Sequence, residues 1–164
     1  MIPRLARAGD LEAVVAIYNA AIPGRSATAD LYAVSTEQRR AWLLERDPRR
    51  RPAWVLEDDG GALLGWLALD DFNSRPAYAA TAEVGCYLDP AAQGRGLGRA
   101  LLAHALQAAP GCGVERLVAK VFPHNEASVR LFAAAGFVEW GRLPGVTRLD
   151  GRLADVLVLG RAVP

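Results

Sequence analysis

The segment from Gln93 to Arg99, Gln-Gly-Arg-Gly-Leu-Gly-Arg, sets three glycines and two arginines ahead of a run in which Leu97, Leu101, Leu102, Ala105 and Leu106 recur at helical spacing. A glycine loop that feeds a helix suits an anion. The first helical amides have no internal partner, the helix dipole is positive there, and glycine lets phosphate oxygens approach the backbone. Upstream, Glu83-Val84-Gly85-Cys86-Tyr87-Leu88 alternates as a strand does, with Glu83, Gly85 and Tyr87 on one face and Val84, Cys86 and Leu88 on the other. Glu83 is the only acid in that run, and Gly85 leaves space beside it, which suits a carboxylate base. The competing reading is a strand-end glutamate in solvent or in an ion pair. Cys86 has no histidine near it in sequence, and a strand-interior cysteine is usually a small buried hydrophobe rather than a nucleophile.

Two common nucleotide loops do not fit. A Walker loop needs Gly-Lys followed by Ser or Thr, and the chain's single lysine is Lys120. A dinucleotide fingerprint starting at Gly94 wants glycine at position 99, where Arg99 stands. What fits is Gln93-x-x-Gly96-x-Gly98, which resembles the (Arg/Gln)-x-x-Gly-x-(Gly/Ala) signature of the GNAT acyltransferase superfamily. The flanks extend the likeness through the Asp89-Pro90 turn before the loop and the Leu101-Leu102 helix after it. A second block, Asn125-x-Ala127-Ser128-x-x-Leu131-Phe132-x-x-x-Gly136-Phe137, is similar to the same family.

The resemblance implies an acetyl-CoA-dependent N-acetyltransferase. It places the coenzyme's pyrophosphate on the loop begun by Gln93, through the amides of Gly94, Arg95, Gly96, Leu97, Gly98 and Arg99. It sets the acetyl-pantetheine end against the strand backbone at Cys86, Tyr87 and Leu88, where a bulge in relatives frees one amide, and it brings Asn125 to the pantetheine. Asn125 also suits a plain helix cap, and the two roles are compatible. By the same likeness Glu83 is the catalytic base. The slot where many relatives carry a thiolate-protonating tyrosine holds Phe132, whose ring has no proton to give. Within the family, Arg75-Pro76-Ala77-Tyr78-x-x-Thr81-x-Glu83 with Gly151-Arg152-x-x-Asp155 resembles the phosphinothricin and methionine sulfoximine N-acetyltransferases, which acetylate the amine of small amino-acid-like compounds as homodimers. That branch implies a substrate pocket lined by Arg75, Pro76, Ala77, Tyr78 and Glu83, and an arginine fork suits a carboxylate. Lys120-Val121-Phe122-Pro123-His124 is closer to other branches, which leaves the amine open between these compounds, an aminoglycoside and a protein amine. A non-catalytic acyl-CoA-binding module is the alternative of a different class.

These residues need positioning. A short β segment at 2–5 leads to a helix over 11–22 capped by Asp10, then to a small polar loop at 24–34 bordering the substrate side. Ser35-Thr36-Glu37-Gln38 is a capping box opening a second helix. Strands at 54–57 and 62–69 flank an Asp58-Asp59-Gly60-Gly61 turn, a loop fills 70–81, and the strand at 82–88 reaches the phosphate loop. After the coenzyme helix come a strand at 116–121, a helix capped by Asn125 and stopped at Gly136, and strands at 137–142 and 154–159 joined through an Asp150-Gly151 hairpin. The expected fold is α+β, the GNAT arrangement of a mixed, mostly antiparallel sheet with about four helices, in which strands 82–88 and 116–121 splay around the pantetheine.

With 164 residues, 52% hydrophobic and 23% charged, the chain suits one domain over 1–164 with a sizeable core. Its formal charge of +1 offers nothing to nucleic acid or to an anionic membrane, and no run approaches the length of a span. Arg49-Arg50-Arg51, between Pro48 and Pro52, reads as a solvated loop. Two cysteines and no leader pattern point to the cytoplasm, and neither His104 nor His124 stands at metal-ligand spacing from them, so no metal is expected.

Overall fold

The computed structural model describes residues 1–163. In chain order the elements are β1 (Arg4–Leu5), α1 (Leu11–Ala21), α2 (Thr36–Leu44), β2 (Ala53–Glu57), β3 (Leu63–Asp71), β4 (Thr81–Leu88), α3 (Leu97–Ala108), β5 (Arg116–Val121), α4 (Glu126–Ala134), β6 (Val138–Leu149) and β7 (Arg152–Ala162). They form one seven-stranded sheet in the order β1-β2-β3-β4-β5-β7-β6. Only β4 and β5 run parallel. This is the α+β architecture expected from the sequence.

Alternation along the central strands builds a core on each face. Val55, Trp66, Ala68 and Tyr87 pack with α1 and α2, while Leu56, Leu67, Leu69 and Val84 pack with α3 and α4. Leu67, Leu101, Leu102 and Leu117 are fully buried in the second layer. Removing one such leucine side chain costs about 2–5 kcal/mol, so this layer fixes α3 against β4. The same contact holds the glycine loop before α3 in place.

The feature that matters for function is where β4 and β5 part. Their pairing covers only Thr81↔Arg116, Ala82↔Leu117 and Glu83↔Val118. Beyond Glu83 a gap opens between them. The pairing of β4 with β3, in contrast, runs from Gly65↔Leu88 to Asp71↔Ala82 without a register shift. The bulge expected near Cys86 is therefore absent from that ladder, and a free amide arises by another route. The Asp89 N–H donates to the Leu64 carbonyl at 2.9 Å, so by alternation the odd residues of β4 bond to β3 and the amides of Cys86 and Leu88 face the gap.

Several local expectations change. Asp10 does not cap α1 through its side chain; it closes a 3₁₀ turn at Ala8–Asp10 and accepts from the Arg7 amide at 2.7 Å and from Arg4 at 2.8 and 2.9 Å. Arg51 is not solvated but buried, bonded to Asp71 at 2.7 Å and to the Ala79 carbonyl at 2.8 Å, where it ties the 70–81 loop down. The last two strands are longer than the apolar pattern suggested. Exposed positions on β6 hide its continuation, and only cross-strand pairing to Leu149↔Arg152 reveals it.

Candidate active site

Two cavities meet on the open side of β4. One encloses about 470 Å³ and is bounded by the loop residues Gln93, Gly94 and Gly96, by Leu97, Gly98 and Arg99 at the start of α3, and by Leu88 and Leu131. The other, of about 430 Å³, lies between Glu83, Gly85, Lys120 and Phe122 on the floor and Leu143, Val146 and Thr147 of β6. Ser26, Ala27, Cys86, Tyr87, Asn125 and Ser128 border both. The chamber is thus one bent channel with β4 at its elbow.

The glycine loop is built as its sequence requires. Gly94 and Gly96 take left-handed backbone angles, φ +74° and +77°, where an L side chain is strained. The first i→i−4 bond of α3 runs from the Ala100 N–H to the Gly96 carbonyl at 3.1 Å, so the amides of Leu97, Gly98 and Arg99 precede it and are offered to a ligand. Gly98 serves packing instead. A Cβ there would stand 3.2 Å from Leu131 Cδ2, so its absence lets α3 close on α4. Arg95 and Arg99 are both exposed; Arg99 borders the cavity, whereas Arg95 lies outside its lining.

Asn125 does two jobs. Its Oδ1 accepts from the Ser128 amide at 3.1 Å, capping α4, and its Nδ2 donates to the Ser26 carbonyl at 3.0 Å. His124 adds a 2.8 Å bond to the Arg25 carbonyl, and Arg25 reaches Asp150 at 2.9 Å. The small polar loop after α1 is thereby stitched over the channel as a roof. Its inner end is pinned where Thr28 meets the Tyr18 hydroxyl at 2.6 Å and Asp30 bonds the same hydroxyl. Burial, reinforced by Asp30, pushes the Tyr18 phenol above its usual range.

In the second cavity, Glu83 is half-buried, and its Oε2 lies 2.8 Å from Lys120 Nζ. Lys120 Nζ also sits 5.8 Å from the centre of the Phe72 ring, which tilts against Tyr78 at 5.6 Å. Through that chain the 3₁₀ turn at Pro76–Tyr78 approaches the site. Arg75, Pro76, Ala77 and Tyr78 are all exposed and do not border either cavity within this chain. Burial pushes the Cys86 thiol up to about 12, which keeps it protonated at neutral pH and unsuited to attack. Burial likewise pushes the Tyr87 phenol up. Phe132 is buried at the cavity edge against Phe137.

Residues 11–137 match the acetyltransferase (GNAT) family. The chain belongs to this family. Among curated relatives it is 45% identical over 158 residues, 96% of either chain, to YwnH of Bacillus subtilis, provisionally named a phosphinothricin acetyltransferase. It is 34% identical over 153 residues, 93% of this chain and 89% of the relative, to the L-methionine sulfoximine/L-methionine sulfone acetyltransferase of Salmonella typhimurium. A crystal structure of a GNAT superfamily phosphinothricin acetyltransferase from Sinorhizobium meliloti in complex with AcCoA superposes with a TM-score of 0.92 at 27% identity, covering 98% of this chain and 87% of that one. The fold is the GNAT fold, and the protein is an N-acetyltransferase by family.

The structure brings the glycine loop, β4 and Asn125 to these cavities, together with Ser26 to Ala29 of the polar loop expected at the substrate side, and it adds Lys120, which the sequence did not single out as a site residue. A lone lysine inside the largely apolar run 116–121 was the available signal for it.

Among the described residues, no three of His, Cys, Asp and Glu cluster as metal ligands, and no helix is long and apolar enough to cross a membrane.

Proposed function

We propose that this protein transfers the acetyl group of acetyl-CoA directly to the α-amine of a small amino-acid-like compound of the phosphinothricin or methionine sulfoximine type. The observation that carries the reading is the junction of the two cavities at Cys86 and Tyr87, with the glycine loop at one end and Glu83 at the other. The curated relatives named for these substrates support the choice of acceptor. Acetyl-CoA supplies an acyl group already activated as a thioester. The protein's part is to align the amine, take its proton and support the oxyanion.

In this reading the loop from Gln93 and the amides of Gly94 to Arg99 hold the diphosphate. Arg95 and Arg99 add charge from the rim. The backbone at Cys86, Tyr87 and Leu88 and the Asn125 region guide the pantetheine, and the Cys86 N–H, facing the gap between β4 and β5, meets the developing oxyanion. Glu83 accepts the amine's proton, directly or through water. Arg75 to Tyr78 form the outer approach to the acceptor. Phe132 cannot protonate the departing thiolate, so solvent does so or the thiolate leaves as such. We further place the enzyme in the cytoplasm as a homodimer; the exposed Val138, Trp140 and Val146 of β6 and Leu153 of β7 favour pairing.

The test is release of free CoA thiol from purified protein given acetyl-CoA with methionine sulfoximine or phosphinothricin. Turnover with at least one is expected. Turnover of a peptide or aminoglycoside with neither amino acid would overturn the acceptor assignment, and binding of acetyl-CoA without turnover of any amine would favour a non-catalytic module.

A further inference from the structure

We infer that Lys120 is the anchor for the acceptor's carboxylate, so that the site selects an α-amino-acid zwitterion and not an amine in general. The inference rests on the acetyl-transfer reading above and specifies how its acceptor is recognised.

The second cavity contains one cation and one anion among its described lining residues, Lys120 and Glu83, and they pair at 2.8 Å. The remaining lining is uncharged, with Val84, Phe122, Phe132, Val146 and Val156 prominent. An ammonium brought to Glu83 competes with Lys120 for the carboxylate. If the incoming molecule is a bare amine, the displaced lysine loses its counter-charge, a modest cost because its side chain is 45% exposed. A zwitterion carries its own replacement. Its ammonium takes Glu83 while its carboxylate, fixed to the same carbon, takes Lys120, and each charge on the protein keeps a counter-charge. The shortness of the Glu83–Lys120 contact makes this exchange geometrically possible, because charges one carbon apart reach both groups at once.

Placement on the fold agrees. Lys120 lies on β5 opposite Val158 of β7, two residues beyond the Glu83↔Val118 pair where β5 leaves β4, so its side chain reaches back across the mouth of the gap. Its side chain is half-exposed, with the ammonium beside the Phe72 ring, and a flexible stem with a point charge can shift between a carboxylate of the protein and one of the substrate. Arg75, whose fork also suits a carboxylate, is exposed on the outer turn and does not border this cavity.

The experiment compares kcat/KM for methionine sulfoximine and for its α-carboxamide, in wild type, Lys120→Met, Lys120→Arg and Arg75→Ala, with acetyl-CoA affinity by calorimetry as the control for folding. Wild type is expected to prefer the acid by roughly 10- to 100-fold, as befits a charge-assisted bond. Lys120→Met should raise KM for the acid by about 10-fold or more and bring the acid-to-amide ratio near one, with acetyl-CoA affinity unchanged. Lys120→Arg should restore part of the preference. A change in Glu83 basicity would move kcat for both acceptors, whereas loss of the anchor raises KM for the acid alone. A preference that survives in Lys120→Met, or one abolished by Arg75→Ala alone, overturns the anchor while leaving the acetyl-transfer reading intact. Wild-type turnover confined to amines without a carboxylate overturns both the anchor and the acceptor assignment.

Discussion

The Asn125 carboxamide bonds in two directions, accepting from the Ser128 amide and donating to the Ser26 carbonyl at 3.0 Å, so one side chain caps α4 and holds the roof of the channel down. Losing both bonds in Asn125→Ala should cost about 1–2 kcal/mol, lowering Tm by roughly 2–4 °C per kcal/mol in a chain of this size. Asn125→Asp keeps the cap acceptor but has no donor for Ser26. Thermal melts should therefore find Asp more stable than Ala, while both raise KM for acetyl-CoA several-fold.

The glycines of the phosphate loop should fail in different ways. Nothing lies within 4 Å of a Cβ built on Gly96, so Gly96→Ala strains only the backbone at φ +77°, by about 1–2 kcal/mol. Calorimetry should show acetyl-CoA binding weakened about 10-fold, and thermal melts a Tm lowered by roughly 2–4 °C per kcal/mol of that strain. Gly98→Val presses on Leu131 instead and should destabilise the fold by about 1–3 kcal/mol, measured in urea.

Glu83→Gln keeps the shape of the side chain and removes its basicity. We expect kcat to fall by about 10²- to 10⁴-fold, with acetyl-CoA affinity unchanged because Glu83 does not border the coenzyme cavity. Steady-state kinetics beside calorimetry separates the two effects. An unchanged kcat would discredit the base.

Cys86 is held protonated, with its thiol pushed up to about 12. Cys86→Ala should keep turnover within a few-fold, and intact-mass spectrometry during turnover should find no acetylated enzyme. An acetyl adduct lost in the variant would establish a covalent route.

At the other end of the fold, hydrogen bonds from Arg4 hold the Asp10 carboxyl below its ordinary value of 3.8, with a further contribution from the Arg7 amide. A depressed carboxyl contributes stability that is complete above the unfolded value and is lost as pH falls through the folded one. Asp10→Asn should thus destabilise by about 1.5–3 kcal/mol at pH 7. Urea unfolding as a function of pH should show the gap from wild type closing only below about pH 4.

The parts of the molecule legible in the sequence are those with local causes. The Ser35–Gln38 capping box forms with both reciprocal bonds, and the Asp150-Gly151 hairpin turns with both residues at positive φ. The glycine loop bends where glycine alone is at ease. What could not be read depends on partners far along the chain. Arg51 looks solvated until Asp71 and the Ala79 carbonyl are brought to it, and Lys120 has no evident role until β5 brings it to Glu83. The amide facing the gap was expected from a bulge, yet it follows from the divergence of two strands, a property of the sheet and not of β4 alone.

The account depends most on main-chain nitrogens at the start of α3 gripping the coenzyme's diphosphate, and amide NMR of ¹⁵N-labelled protein titrated with acetyl-CoA observes those nitrogens directly. Saturable shifts at Gly94, Gly96, Leu97, Gly98 and Arg99, joined by Cys86 and Leu88 on the open side of β4, are predicted. Resonances that stay in place there at saturating acetyl-CoA would contradict the account.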